Sequence, residues 1–122
     1  MVLAVVTGGS RGLGFETAKA LRALGQRVVL VARDSHRLAQ AAATLQCDYR
    51  AVDLADVDAS KECFEEILDT FGVPQILVLA HGVMSAKMSK TLKTDNEEWR
   101  RVMAINLDSV FCAVNTLAAP MA

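Results

Sequence analysis

The residues with most chemistry to offer stand near the start of the chain. Thr7-Gly8-Gly9-Ser10-Arg11-Gly12-Leu13-Gly14 sets four glycines within eight positions. An apolar run at residues 2–6 precedes it. After it, Leu13, Ala18, Leu21 and Leu24 recur at helical spacing as far as Gly25, a suitable left-handed stop. Glycine lets a backbone come close to a pyrophosphate, and the unbonded amides of a helix start favour an anion. Strand, glycine turn and helix in that order are the setting a dinucleotide phosphate needs. A plain strand-to-helix turn is the competing reading, because turns use glycine too. Further along, Asn106 shares a helical face with Trp99, Val102 and Met103, and an amide buried on an apolar face must be hydrogen-bonded. Asn115 reads as an ordinary polar position near the end of that helix.

The elements that must position these residues follow a strand–helix repeat. Residues 27–32 form a second apolar, β-branched run, and Asp34 or Ser35 can cap a helix that runs through Leu45. Residues 47–52 read as a shorter third strand ending at Asp53. A helix begins near Asp58, carries Cys63, Phe64, Ile67, Leu68 and Phe71, and stops at Gly72. Pro74 introduces a fourth strand at residues 75–80, which ends at His81-Gly82. Residues 83–93 read as a polar loop or short lid. Thr94 and Glu97 then offer a capping box for a long helix over residues 95–118, with Pro120 ending it. Four strands, each followed by a helix, require right-handed crossovers and a parallel sheet. The expected fold is α/β, a Rossmann-type doubly wound parallel sheet left incomplete at about four strands, in one domain over residues 1–122. In the usual order the fourth strand lies beside the first, so the ends of both flank one crevice.

Composition narrows the function classes. The chain has 122 residues, 52% of them hydrophobic, as suits a sheet covered on both faces. A net charge of −1 makes no electrostatic case for nucleic acid or an anionic membrane. Cys47, Cys63 and Cys112 are odd in number and far apart, and read as small core residues in a reducing compartment rather than a disulfide or metal set. With no leader before the first strand and no apolar run approaching ~20 residues, a cytoplasmic protein is expected.

Taken together, these marks resemble the N-terminal half of the classical short-chain dehydrogenase/reductase family over the whole chain. The TGxxxGxG spacing of Thr7, Gly8, Gly12 and Gly14 is similar to that family's phosphate cradle, and the resemblance assigns Ser10, Arg11 and Leu13 to it as well. Asp53-Leu54 looks like the family's adenine-contacting pair, with a polar strand end in an acid-rich turn as the competing reading. The family usually ends its fourth strand with Asn-Asn-Ala-Gly, where this chain has Leu79-Ala80-His81-Gly82. Gly82 fits, the side-chain amide that normally braces the strand is absent at Ala80, and His81 reads as a partly buried structural residue, with contact to cofactor or substrate as the alternative. Asn106 aligns with the family's tetrad asparagine, which holds a water in a proton relay to the active-site lysine.

The end of the second strand sets which nicotinamide cofactor the resemblance implies. An acid there binds the ribose 2′-hydroxyl and repels a 2′-phosphate. Here the position is Ala32, followed by Arg33, and Arg11 approaches from the glycine loop. Two guanidinium groups on a dianion make charge-assisted contacts, which points to NADP(H) over NAD. Asp34 follows Arg33, where helix capping is its more economical role. The family's catalytic serine and tyrosine-x-x-x-lysine are missing: Tyr49 is the only tyrosine, with no lysine four residues on, and Ser85 and Ser89 are misplaced for the serine. The leading expectation is therefore the cofactor-binding portion of a ketone/secondary-alcohol oxidoreductase of the carbonyl or 3-oxoacyl reductase type. Its partners would be a small carbonyl or alcohol substrate and another copy, through the helix at 95–118. The alternative is a truncated, non-catalytic NADP-binding or dimerising module.

Overall fold

The structure is a computed structural model and describes residues 2–84 and 90–122. Its first strand, β1 (Leu3–Thr7), is buried at every position. That is possible only where helices cover both faces of a sheet. On one side β1 pairs in parallel with β2 (Arg27–Ala32), from Leu3 opposite Arg27 to Thr7 opposite Val31. On the other it pairs in parallel with β4 (Ile76–Leu79), from Ala4 opposite Ile76 to Thr7 opposite Leu79. β3 (Asp48–Ala51) adds to β2, giving the order β3-β2-β1-β4. The sequence of elements and the strand order are those expected. β1 runs one residue beyond the expected end because Thr7 keeps its ladder partners on both sides.

The two sheet faces sort the apolar residues by the period of two. Ala4, Val6, Val28 and Leu30 point toward α1 (Gly12–Ala23) and α2 (Ser35–Leu45), which contribute Ala18, Leu38, Ala41, Ala42 and Leu45. Leu3, Val5, Val29 and Val31 face the opposite way and meet Phe64 and Ile67 of α3 (Val57–Phe71) with Ala113 and Leu117 of the last helix. Phe64, Leu30, Leu38 and Ile67 are the largest fully buried side chains. Cys47, Cys63 and Cys112 are free thiols, and burial pushes those of Cys47 and Cys63 up to about 11.

Helix starts depend on local acceptors. Asp34 caps α2, accepting from the N–H groups of His36 and Arg37, both at 3.1 Å, so Asp34 rather than Ser35 is the cap. Asp56 caps α3 through the Ala59 N–H, which starts that helix one residue before Asp58. The box expected from Thr94 and Glu97 gives way to Asp95, whose carboxylate accepts from the Glu98 N–H at 2.8 Å. A three-residue 3-10 turn, Thr91–Lys93, leads into it. The rest of the expected loop or lid, with Ser85 and Ser89, lies outside the described residues.

The long helix departs from expectation in two ways. α4 (Asn96–Met103) and α5 (Ser109–Met121) are joined by a wider π turn, Ala104–Asp108. Pro120 also sits inside the last turn instead of ending it, and Ala122 N–H still reaches Ala118 O at 3.0 Å. The whole helix, Asn96–Met121, is the one among the described residues long and apolar enough to cross a membrane by length and composition. Counting uninterrupted apolar residues misses it, because Asn106, Asp108, Ser109, Asn115 and Thr116 break the run. Cys112, Ala113 and Leu117 bury one side of it against the sheet and α3, while Leu107, Phe111 and Val114 stay exposed.

Candidate functional site: a cleft at the strand ends

A cleft of about 890 Å³ opens where the carboxyl ends of β1 and β4 diverge. This is the crevice at which open α/β sheets bind ligands. The glycine loop forms its floor. Gly8 has φ +66°, and a Cβ there would lie 2.6 Å from Ala80 O and 2.8 Å from His81 N. No side chain fits between the two strand exits. Gly14 is buried directly beneath Gly8, whose carbonyl a Cβ on Gly14 would overlap. The two glycines thus let the loop fold flat on its own helix. Arg11, at the cap of α1, is extended and makes no side-chain cap, so no cap side chain takes the first amides of α1, and Gly12 and Leu13 of that turn line the cleft.

The walls bring together most of the residues the sequence singles out. Gly8, Ser10, Arg11, Gly12, Leu13, Arg33, Asp53, Leu54, Ala80, His81 and Gly82 all line the cleft. Thr7, Gly14 and Asn106 do not. Thr7 is fully buried below the floor, and its hydroxyl is held against His81 Nδ1 at 2.6 Å. The contact the structure gives its hydroxyl is thus a structural one. Asn106 is exposed, contrary to the expectation of a buried amide, and Trp99 is 60% exposed, so the apolar face they share is not core. The amide is nevertheless clasped to one residue at both ends. Its Oδ1 accepts from Val83 N–H at 2.7 Å and its Nδ2 donates to Val83 O at 2.8 Å.

Electrostatics divide the cleft. At the β2 end Ala32 offers no acid, while Arg11, Arg33 and Arg37 contribute guanidinium groups. Arg37 was not anticipated. Its signal was the helical step from Asp34, which places residue 37 on the first turn of α2 facing the strand end. Asp34 is occupied by capping, and the Arg37 and His36 amides hold its carboxyl below the usual range, with Arg37 3.9 Å from it. One oxygen of Asp53 accepts from Ala55 N–H at 3.0 Å, and Leu54 beside it is buried. At the β4 end, Ile105 and Arg101 come from the helix across the opening. Arg101 pairs with Glu98 at 2.9 Å and donates to Met84 O at 3.3 Å. His81 is half-buried, with Thr7 on one ring nitrogen and Ser109 on the other at 2.5 Å.

A basic rim at one end, a glycine floor at the start of α1 and a second wall at the exit of β4 fit an extended phosphorylated ligand the size of a dinucleotide. Comparison with known proteins agrees. A family model described as short chain dehydrogenase matches residues 2–122. Galactitol 2-dehydrogenase (L-tagatose-forming) from Cereibacter sphaeroides is 31% identical over 118 residues, covering 97% of this chain and 46% of that protein. Among solved structures, L-sorbose reductase from Gluconobacter frateurii, complexed with NADPH and L-sorbose, superposes with a TM-score of 0.91 at 28% identity. It covers 98% of this chain and 47% of that one. A metagenomic short-chain oxidoreductase in complex with NADP gives a TM-score of 0.93 at 31% identity, covering 98% and 56%. The chain spans about half the length of the relatives it matches.

Proposed function

The chain belongs to the short chain dehydrogenase family, and on that premise we propose that it is the NADP(H)-binding portion of an oxidoreductase that interconverts a ketone and a secondary alcohol. The observation that carries the cofactor choice is the β2 end of the cleft, where Arg11, Arg33 and Arg37 stand around a position, Ala32, that carries no acid. The residues fit the group: the Gly8 turn and the first amides of α1 take the pyrophosphate, Arg11 and Arg33 take the 2′-phosphate with Arg37 beside them, and Asp53-Leu54 flank the adenine. When bound, such a cofactor supplies or accepts the hydride. Ala80, His81 and Gly82 form the wall for the nicotinamide end. Asn106, in the reading the family supports, holds a water of the proton relay, and its grip on Val83 fixes it at the mouth of that wall. The proton donor to the substrate oxygen belongs to the part of the protein that its relatives carry beyond this length, and a carbonyl or 3-oxoacyl reductase type is the activity proposed for the whole. Exposed Leu107, Phe111 and Val114 support a second copy of the chain as a partner through α5.

Titration of the full-length protein with NADPH and NADH, followed by cofactor fluorescence, tests this. NADPH is expected to bind more tightly. Arg33→Asp is expected to weaken NADPH by roughly ten- to a hundredfold, the worth of one charge-assisted contact, and to leave NADH nearly unchanged. Equal affinity for the two cofactors in the unaltered protein would overturn the assignment.

A further inference from the structure

We propose that His81 is a positioning residue for the cofactor cleft, its neutral imidazole locked as the Nε2–H tautomer so that it ties the end of β1 to the π turn of the long helix in place of the amide missing at Ala80. This rests on the cofactor reading above for its consequence, though not for its geometry.

The proton count fixes the tautomer. Ser109 is fully buried and its hydroxyl donates to the Ile105 carbonyl. A hydroxyl has one proton to give, so toward His81, 2.5 Å away, the Ser109 oxygen can only accept. The hydrogen must then sit on Nε2. That leaves Nδ1 of the neutral ring as an acceptor, and Thr7, fully buried at 2.6 Å, has an O–H to donate to it. The other acceptor beside that hydroxyl, Val78 O, is farther away at 3.4 Å. One directed chain results: Thr7 O–H to Nδ1, Nε2–H to Ser109, Ser109 O–H to Ile105 O. Ile105 acts on the imidazole as an acceptor facing an N–H does, pulling its pKa up against burial.

What the chain positions is the floor of the cleft. The backbone of Ala80 and His81 is packed so closely on Gly8 that not even a Cβ fits between them, so the phosphate turn and the exit of β4 cannot move independently. Two residues on, Val83 is held by Asn106. Asn106 and Ser109 lie three apart on the helix, and His81 and Val83 lie two apart on the strand exit, so one helical face holds alternate residues of the segment that walls the nicotinamide end. Removing the imidazole leaves two buried hydroxyls without that link and releases one of the two fastenings.

The test uses the full-length protein labelled with 15N at histidine, with His81→Gln identifying the His81 signals. At pH 7.5 the Nε2–H pattern is expected for His81; an Nδ1–H pattern or an imidazolium would overturn the proposal. NADPH titration then reads positioning. His81→Ala is expected to bind at least ~tenfold more weakly, and His81→Gln, whose amide can still donate to Ser109, to recover most of that loss. Ser109→Ala, outside the cleft lining, is expected to weaken binding alone and to add little to His81→Ala. Unchanged affinity in His81→Ala, or losses that simply add, would also overturn it. Should His81→Ala fail to fold, the Gln and Ser109 variants carry the comparison. If the unaltered protein binds no NADPH, the cofactor reading fails and the role in positioning a cofactor fails with it, while the tautomer result still decides the brace.

Discussion

Burial lowers the pKa of the His81 imidazole below its ordinary 6.5, and hydrogen bonds lower two carboxyls below theirs: Glu66, through Arg50 and Thr70, and Asp34, through the amides of α2. All three therefore bind protons more readily in the unfolded chain, and all three lose their contribution on acidification. The windows differ. The His81 contribution is complete above pH 6.5 and falls away as pH drops through the folded value, whereas the carboxylate contributions stay complete down to their ordinary values of 4.5 and 3.8 and are lost only below them. Urea unfolding at pH 7.0 and 5.0 is expected to show lower stability at the acid value, and His81→Gln is expected to flatten that slope. A slope unchanged in the variant would mean that another group titrates. Both the histidine and its unusual place after β4 were legible in the sequence. Its partners were not, since Thr7 and Ser109 lie 74 and 28 residues away.

The elements begin where short acidic side chains can meet backbone amides. Asp56 illustrates the energetics: its carboxylate takes the Ala59 N–H at 3.0 Å, and Ser60 Oγ, fully buried one turn in, donates to Asp56 O at 2.7 Å. Asp56→Ala is expected to cost about 1 kcal/mol, read as a lower urea midpoint with an unchanged slope. β2 and α2 were read at their true bounds because an apolar run, an acidic cap and a period of 3.6 all agree there. Agreement fails at residues 94–97. Thr94, Asp95 and Asn96 are all competent caps in sequence, and only the path of the chain from the Thr91–Lys93 turn selects Asp95. The π turn was likewise illegible, since nothing in Ala104-Ile105-Asn106-Leu107-Asp108 forbids an ordinary helix.

At the scale of the whole molecule, two surfaces are left open among the described residues. β4 is the last strand of the sheet, with its four apolar residues only half-buried, and such an edge invites a further strand. Beside it α5 exposes Phe111 at 70% and Leu107 at 55%. Self-association through that face is expected. In light scattering after size exclusion, Phe111→Glu is expected to shift the unaltered oligomer toward the monomer, and an unshifted mass would remove α5 from the interface. The sheet faces themselves need no partner, because α1 and α2 cover one and α3 and α5 the other.

The sequence by itself determined the succession of strands and helices, the parallel sheet, the glycine cradle and the basic residues at the end of β2, because each depends on neighbours within a few positions. Hydrophobic period, turn glycines and caps act at that range. The tertiary structure alone decided that Thr7 lies under the cleft rather than in it, that Arg37 joins Arg11 and Arg33, that Asn106 is exposed yet clasped to Val83, and that His81 bridges β1 to the helix. The bridging contacts join strands and helices far apart in the chain, and Arg37 and Arg11 share one cleft only because α2 and the glycine loop both border it. Such a meeting is set by how the helices settle on the sheet, which no local pattern encodes.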